Sequence, residues 1–379
     1  MKIVHIITDL STGGAEMMLY KLVSWMDRDE FDTQVFSLID IGQIGEKIAD
    51  LGIPVKALKM KRGVPDPRGI FKLTMWLRRT RPDVVQTWMY HANLIGGIAA
   101  QNDRKIPLIW GIHHSNLDKK NDKKTTLWSA KICAKLSKWM PLKIVCCSQA
   151  SKKFHAHFGY YPTKMIVIHN GFDLDIFSPN AKARKAIRKE LMLGDQTILI
   201  GLVARFHPHK DHFNFCRAAG ILHRNKPDVH FVLCGDGITF HNSNLMRWIN
   251  EVGISSVTHL LGRRDDIPSI QASLDIATIS SFSEGFPNVI GEAMASCVPC
   301  VVTDVGDSAI IVKDTGFIVP PKDPEALANA WKKLIDIGSK KRKLLGLKAR
   351  QRIENYFSLE KVAKQYRDLY RSLLRETKK

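Results

Sequence analysis

Short, nearly unbroken Val/Ile/Leu runs recur along the chain, each followed by a longer stretch with apolar residues at helical spacing. In the first half the runs fall at 3–7, 33–38, 55–58, 84–86, 108–111, 144–147 and 165–168, with helical patterns such as 15–26 and 69–80 between them. Strands that are apolar on both faces belong in a parallel sheet covered by helices on both sides. After Asn170-Gly171-Phe172 the alternation gives way to a polar, basic stretch through Lys189, which shows no strand pattern. It restarts at 197–203 and continues at 229–234, 257–261, 276–280 and 300–302. The expected fold is therefore α/β, with two doubly wound, Rossmann-like domains and a boundary near 170–195. We place the domains at 1–178 and 179–357. A final amphipathic helix over 358–379 carries Val362, Tyr366, Leu369, Tyr370 and Leu373 at helical spacing. Sheets of this kind bind ligands beyond the carboxyl ends of their strands. Two of them imply a deep cleft, and the loops that follow the strands are where functional residues are expected.

The charge balance narrows the choice of partner. With 57 Lys and Arg against 37 Asp and Glu, the net charge is +20, which favours anionic partners. Nucleic acid, an acidic membrane surface and phosphorylated small molecules all qualify. The chain has no RNP-like aromatic motif, helix-turn-helix signature or finger ligands, so nucleic acid is not expected. The seven cysteines are scattered and odd in number, which fits reduced thiols in the cytoplasm. Cys297-Val298-Pro299-Cys300 has redox-motif spacing, but it sits where a helix ends and an apolar strand begins, and it reads as structural. The apolar start of the chain is too short for a signal peptide and no run of eighteen apolar residues occurs. A soluble or peripheral protein is expected.

Four loops carry candidate chemistry. Thr12-Gly13-Gly14-Ala15-Glu16 joins the first strand to the first helix, where Gly13 and Gly14 let the backbone approach a ligand and the helix N-terminus offers N–H groups to phosphate. It is not the G-x-G-x-x-G dinucleotide fingerprint. In the second half, Arg205 and Lys210 follow a strand end, and two cations there could hold a diphosphate and stabilise it on departure. A pair of solvated surface charges would look the same. Gly235 and Gly237 follow the next strand and leave room for a base or ribose, whereas Asp236 reads as a turn residue. The most informative segment runs from Ser280 to Ala295, in which a buried strand passes through Ser283-Glu284-Gly285-Phe286-Pro287 into a helix starting near Asn288. Glu284 and Glu292 stand in Glu-x7-Glu spacing. Their carboxylates suit sugar hydroxyls, while amides from Phe286 to Val289 and the helix dipole suit the phosphates between two sugars.

Together Gly13-Gly14-Ala15-Glu16, Asn170-Gly171-Phe172-Asp173 with Phe177 and Pro179, Arg205 to Lys210, and Glu284 to Glu292 resemble the family-4 retaining glycosyltransferases. The resemblance runs in order over nearly the whole chain and implies the two-domain GT-B fold. It implies that Glu284 contacts the transferred sugar, Glu292 the ribose, and Arg205 with Lys210 the diphosphate. It also implies that Gly13, Gly14, Gly235 and the run Gly285, Phe286, Pro287, Asn288 and Val289 line the donor site. The last helix is then expected to cross back onto the first domain. Ile109-Trp110-Gly111-Ile112-His113-His114 resembles the segment where the family keeps an active-site histidine; position favours His113, with His114 as the alternative. The catalytic set is then His113, Arg205, Lys210 and Glu284. One departure stands out, because Cys297 occupies the place where the family often has a helix-ending glycine, so that helix is expected to end without an easy left-handed cap. Asp265-Asp266 precedes Ile267-Pro268 and reads as a helix N-cap rather than a metal pair, and no His/Cys cluster has ligand spacing, so no catalytic metal or other cofactor is expected.

The basic excess concentrates at Lys119, Lys120, Lys123, Lys124, Lys131, Lys135, Lys138 and Lys143, with Trp128, Ile132, Leu136 and Trp139 near helical spacing among them. Trp128, Lys131, Lys135 and Trp139 are candidates for contact with an anionic membrane or an acceptor. A helix packing its apolar face on its own domain gives the same pattern. The overall expectation is transfer of a hexose-type sugar from a UDP- or GDP-sugar to a lipid-linked or cell-surface glycan acceptor, at the cytoplasmic face of the inner membrane. The alternative is a non-catalytic nucleotide-sugar sensor or partner subunit.

Overall fold

The computed structural model describes residues 1–61, 66–104, 106–115, 117 and 123–377. Its packing divides the chain into two units, residues 1–171 with 359–379, and residues 172–358. Lys119 and Lys120 of the basic stretch lie outside the described residues.

In the first unit β1 (Lys2–Ile7), α1 (Gly14–Ser24), β2 (Asp32–Ser37), α2 (Gly42–Asp50), β3 (Val55–Ala57), α3 (Pro67–Thr80), β4 (Val84–Trp88), α4 (Tyr90–Arg104), β5 (Leu108–Ile112), α5 (Lys124–Leu136), β6 (Lys143–Cys146), α6 (Gln149–Phe158) and β7 (Met165–Val167) follow one another. Among the described residues the strands form one parallel sheet in the order β3-β2-β1-β4-β5-β6-β7. Residues of β1 alternate between two cores: Ile3 and Ile7 face one cluster and Val4 and Ile6 the other, all fully buried. This two-sided burial is why the strand has no polar face. Helix ends follow their side chains. The Asp66 carboxylate accepts from the Arg68 N–H at 2.9 Å, with Pro67 in the first turn of α3. Ser148 caps α6 through the Ser151 N–H at 2.9 Å, and Gly159 ends it at φ +109°.

The second unit holds α7 (Ala181–Glu190), β8 (Leu199–Val203), α8 (His212–His223), β9 (His230–Cys234), α9 (Ser243–Glu251), β10 (Thr258–Leu260), α10 (Ile267–Ser273), β11 (Ile276–Ile279), α11 (Asn288–Ala295), β12 (Cys300–Thr303), α12 (Ser308–Val312), β13 (Phe317–Val319), α13 (Pro324–Asp336) and α14 (Gly338–Tyr356). Its parallel sheet has the order β10-β9-β8-β11-β12-β13. In both sheets the chain winds outward from a first strand and then restarts on its other side. The reversals lie between β1 and β4 and between β8 and β11, the positions where doubly wound sheets open a binding crevice.

The last helix, α15 (Leu359–Thr377), buries Val362, Tyr366, Leu369, Tyr370 and Leu373 in the core of the first unit. The Tyr370 hydroxyl donates to the Gln86 side-chain oxygen on β4. Residues 172–178, grouped with the first half by sequence, are held instead by the second unit. The Phe172 N–H donates to the Phe357 carbonyl at 2.9 Å, and the Arg350 guanidinium holds the Phe177 carbonyl at 3.1 Å. The polar stretch that follows contains α7, whose Arg184 and Arg188 pair with Asp275 at 2.8 and 3.3 Å.

One local expectation is refined and another corrected. Asp266 stands at the N-cap of α10 with Pro268 in the first turn, as expected, but its carboxylate makes no capping bond, because the Arg264 guanidinium takes both its oxygens at 2.8 Å. A bidentate charge-assisted pair outcompetes a single amide donor. The helix that ends at Cys297 does have a left-handed cap. Cys297 adopts φ +60°, its N–H donates to the Met294 carbonyl at 3.0 Å, and the Val298 N–H reaches the Ala293 carbonyl at 3.0 Å. The two satisfied carbonyls hold cysteine in a conformation glycine would adopt without strain.

Candidate active site

In the second unit the loops after β8 and β11 meet. The Lys210 Nζ lies 2.5 Å from the Glu284 Oε1, and the side chains are 24% and 12% exposed. The Ser281 hydroxyl donates to the same carboxylate oxygen at 2.7 Å. The loops are stitched together by the Phe282 N–H donating to the His209 carbonyl at 3.0 Å and the Ser280 hydroxyl donating to the Lys210 carbonyl at 2.8 Å. Thr303, at the end of β12, donates to the Ser281 carbonyl at 2.6 Å. Gly306 at φ +58° passes beneath the loop, where a Cβ would lie 2.5 Å from the Gly285 carbonyl oxygen and 2.6 Å from that of Glu284. Glu284 is thus held from three strand ends before any ligand arrives, a preorganised hydrogen-bond acceptor.

Arg205 follows β8 with its side chain exposed, and no hydrogen bond or ion pair holds it among the described residues. Its charge, after burial and with those of His209 and Lys210, helps lower the pKa of His207, so the loop concentrates positive charge around one carboxylate. Gly235, at φ +151°, presses on this loop: a Cβ would sit 2.3 Å from the Ala204 carbonyl oxygen and 2.7 Å from the Arg205 nitrogen. Glycine is required there.

Beyond Glu284 the chain enters α11 through Pro287, which provides no side-chain cap. The first turn of α11 therefore presents backbone donors and the positive end of its dipole. Glu292 is half-buried on the second turn. Helix α11 is seated by an aromatic contact: a Cβ on Gly291 would fall 2.1 Å from the Phe172 ring, which stacks on Phe286 at 6.0 Å and 22°.

In the first unit Gly13 and Gly14 open α1 after β1. A Cβ on Gly13 would collide with the Glu16 carboxylate at 2.2 Å, whereas one on Gly14 would meet nothing within 4 Å. Glu16 is half-buried, and desolvation raises its pKa. His113 and His114 follow β5 but have different surroundings. The His113 ring stacks on Trp88 at 4.8 Å and 18°, and neither ring nitrogen has a partner among the described residues. Burial lowers its pKa to about 4, so the imidazole is neutral at neutral pH. His114 packs edge-on against Tyr90 at 6.3 Å and lines a groove of about 940 Å³ built from this unit alone.

Helix α5 buries the small residues Ser129, Ala130, Cys133 and Ala134 and packs Leu136 against the same core, while Trp128 is 60% exposed and Trp139, just past the helix, 72%. Lys131 and Lys135 are exposed as well. The tryptophans are therefore on the outer surface, not in the core of their own domain.

Two family models match the chain, described as Glycosyltransferase Family 4 over residues 12–176 and as Glycosyl transferases group 1 over residues 197–336. The chain belongs to the family-4 glycosyltransferases. This glycosyltransferase is 27% identical over 315 residues to the UDP-Gal:alpha-D-GlcNAc-diphosphoundecaprenol alpha-1,3-galactosyltransferase of Escherichia coli, covering 81% of this chain and 80% of that one. It is 25% identical to the N,N'-diacetylbacillosaminyl-diphospho-undecaprenol alpha-1,3-N-acetylgalactosaminyltransferase of Campylobacter jejuni, covering 78% and 79%. Its fold is GT-B, matching the crystal structure of Anabaena HepE in complex with UDP at a TM-score of 0.86, with 23% identity over 98% of this chain and 100% of that one.

Of the residues singled out by sequence, the structure joins Lys210 to Glu284 directly and Gly235 to the Arg205 backbone. Sequence reasoning missed Ser281 and Thr303, which fix Glu284, and the contact of Phe172 with Gly291. Hydroxyl residues at strand ends carry no distinctive spacing, and a glycine inside a helix shows its reason only once a ring is seen against it. The glycosyltransferase also has a groove that brings together Glu16, His114, Lys123, Lys124 and Trp128, residues which the sequence singled out separately.

Proposed function

We propose that this glycosyltransferase moves a hexose-type sugar, with retention of anomeric configuration, from a UDP- or GDP-sugar to a hydroxyl of a lipid-linked acceptor. The observation that carries the reading is the fixed Glu284 carboxylate between Lys210 and Ser281, one loop away from the uncapped start of α11. Glu284 accepts hydrogen bonds from hydroxyls of the transferred sugar and Glu292 from those of the ribose. Arg205, Lys210 and the first amides of α11 hold the diphosphate, and the backbone at Gly235 packs against the nucleoside. The acceptor oxygen bonds to the anomeric carbon on the face that the leaving group vacates. The bond from that carbon to the phosphate oxygen breaks with its electron pair on the diphosphate, which takes the acceptor proton. Positive charge at Arg205 and Lys210 stabilises the departing diphosphate without a metal. A neutral His113 can donate or accept one hydrogen bond at the donor sugar.

Anabaena HepE has been seen with UDP and with UDP-glucose, which supports a uridine donor, and the two bacterial relatives act on undecaprenol-diphosphate-linked sugars, which supports a lipid-linked acceptor. No helix among the described residues is long and apolar enough to cross a membrane. The exposed Trp128, Lys131, Lys135 and Trp139 support peripheral contact with an anionic leaflet on the cytoplasmic side. Incubation with a panel of UDP- and GDP-sugars and lipid-linked acceptors, followed by mass spectrometry and NMR of the new linkage, tests the reading. A retained anomeric configuration is expected. An inverted one would refute the mechanism, and donor binding with no transfer to any acceptor would favour a sensor.

A further inference from the structure

A hollow of about 310 Å³ opens in the second unit where the start of α8, the loop after β11 and the loop after β13 come together. It shares two loops with the candidate active site but not the helix proposed to hold phosphate. Phe282 lies two residues before Glu284 and Asp211 directly follows Lys210, yet among the described residues none from α11 lines the hollow. The two helices that begin there, α8 and α13, pack through Phe215 and Trp331 at 5.2 Å, in a core to which α11 contributes no residue. Two cations line the hollow. The exposed Lys322 holds its Nζ 4.6 Å from the centre of the Phe282 ring, and the exposed Arg217 guanidinium lies 5.8 Å from the Phe213 ring. Neither makes an ion pair among the described residues. The nearby carboxylates serve as helix caps: Asp211 accepts from the Asn214 N–H at 3.1 Å and Asp323 from the Ala326 N–H at 2.9 Å. A ring face holds an exposed cation only weakly, so both can turn to an anion. Asn214, on the first turn of α8, lines the same hollow and is 3% exposed. Neither its amide oxygen nor its amide nitrogen has a partner among the described residues. A buried amide left unpaired is costly, and this one can accept from one hydroxyl and donate to another.

A water molecule would satisfy Asn214 and leave both cations without a counter-charge. An inorganic anion would meet the cations and leave the amide and the Phe213 ring, which is 42% exposed, uncovered. A phosphate carried on a hydroxylated ring uses all of them. We propose that the hollow is a second ligand site, separate from the nucleotide site, which takes a small phosphorylated sugar. Lys322 and Arg217 hold the phosphate from two different elements, the guanidinium through paired N–H groups. Asn214 exchanges hydrogen bonds with ring hydroxyls. The sugar ring lies on Phe213, which is itself braced edge-on by Trp248 at 5.4 Å and 61°. At about 310 Å³ the hollow is at the small end of ligand sites, which suits a monosaccharide phosphate better than a nucleotide sugar.

The test is a calorimetric titration of the full chain with glucose 6-phosphate, glucose and inorganic phosphate, each alone and with UDP at saturation. Glucose 6-phosphate is expected to bind at least about tenfold more tightly than glucose or phosphate, and to bind in the presence of UDP as well. The double variant Arg217→Gln/Lys322→Gln, both exposed, keeps its circular dichroism and its affinity for UDP and loses about tenfold in affinity for glucose 6-phosphate. Asn214→Leu loses affinity for glucose 6-phosphate while leaving phosphate binding in place. Three results would overturn the proposal: no binding of glucose 6-phosphate, its displacement by UDP, or an unchanged affinity in the folded double variant. Phosphate binding as tightly as the phosphorylated sugar would overturn it too, since Asn214 and Phe213 would then contribute nothing.

Discussion

Replacing Lys210 by methionine removes the cation from Glu284 while keeping the aliphatic stem. The carboxylate, 12% exposed, would keep the Ser281 hydroxyl as its nearest donor. A hydrogen bond to a charged group contributes about 1.5–3 kcal/mol, and the remaining contact with solvent points to the lower half, about 1.5–2 kcal/mol. For a unit of this size that lowers Tm by about 3–8 °C. Glu284→Gln should cost less, because the Lys210 ammonium is 24% exposed and can turn towards water. Arg205 is exposed and unpaired among the described residues, so Arg205→Ala should stay within about 0.5 kcal/mol of the parent in stability. Activity should behave differently: both Lys210→Met and Arg205→Ala lose about 10²–10³ in kcat if the cations stabilise the departing diphosphate. Differential scanning calorimetry of the three variants and of the Lys210→Met/Glu284→Gln double variant, with single-turnover kinetics alongside, supplies all the terms. A coupling energy below about 0.3 kcal/mol in the double-mutant cycle would refute the ion pair as the support of Glu284. An Arg205→Ala enzyme with unimpaired turnover would refute the assignment of the exposed cation to the leaving group.

Three further outcomes follow from local geometry. Cys297→Gly relieves a left-handed residue at the end of α11 and should stabilise the chain by about 0.5–1 kcal/mol in urea unfolding, the strain relief being partly offset by the freedom glycine gains on unfolding; a destabilised variant would contradict the cap. Gly291→Ala drives a methyl into the buried Phe172 ring and should cost about 1–3 kcal/mol, with donor affinity falling as α11 shifts; a variant as stable as the parent would show that the ring does not rest there. Burial lowers the pKa of His5 to about 3 and those of His113, His155 and His212 to about 4. An unfolded histidine protonates near about pH 6.5, so below that the unfolded chain binds more protons and stability falls as pH drops towards 4, by up to about 1.4 kcal/mol per pH unit for each histidine. Urea midpoints that stay level across this acid range would show that these rings are solvated.

The strand pattern was legible because parallel strands buried on both faces leave a two-sided apolar record, as at Ile3 to Ile7 and Leu199 to Val203. Strand β13 left almost none: three residues between Gly316 and Pro320, with Ile318 exposed. Glu284, Arg205 and Lys210 were legible because charged residues beside glycine and proline at a strand end are chemically conspicuous. The supports of Glu284 were not, since Ser281 and Thr303 act through bonds that only the meeting of β11 and β12 creates. Asp266 shows how far a local rule reaches. Asp followed by Ile-Pro marks the N-cap position, where the structure has it, but Arg264, two residues earlier, takes the carboxylate. For Trp128 and Trp139, spacing alone could not separate an inward from an outward face, because the buried positions of α5 are the small Ser129, Ala130, Cys133 and Ala134.

The donor assignment is tested most directly by titrating UDP calorimetrically into the parent chain and into Glu292→Gln. If the Glu292 carboxylate holds the ribose, loss of a charged hydrogen bond should raise Kd about 10- to 150-fold, with the fold unchanged by circular dichroism. An unaltered Kd in a folded Glu292→Gln chain would contradict the placement of the nucleotide on α11.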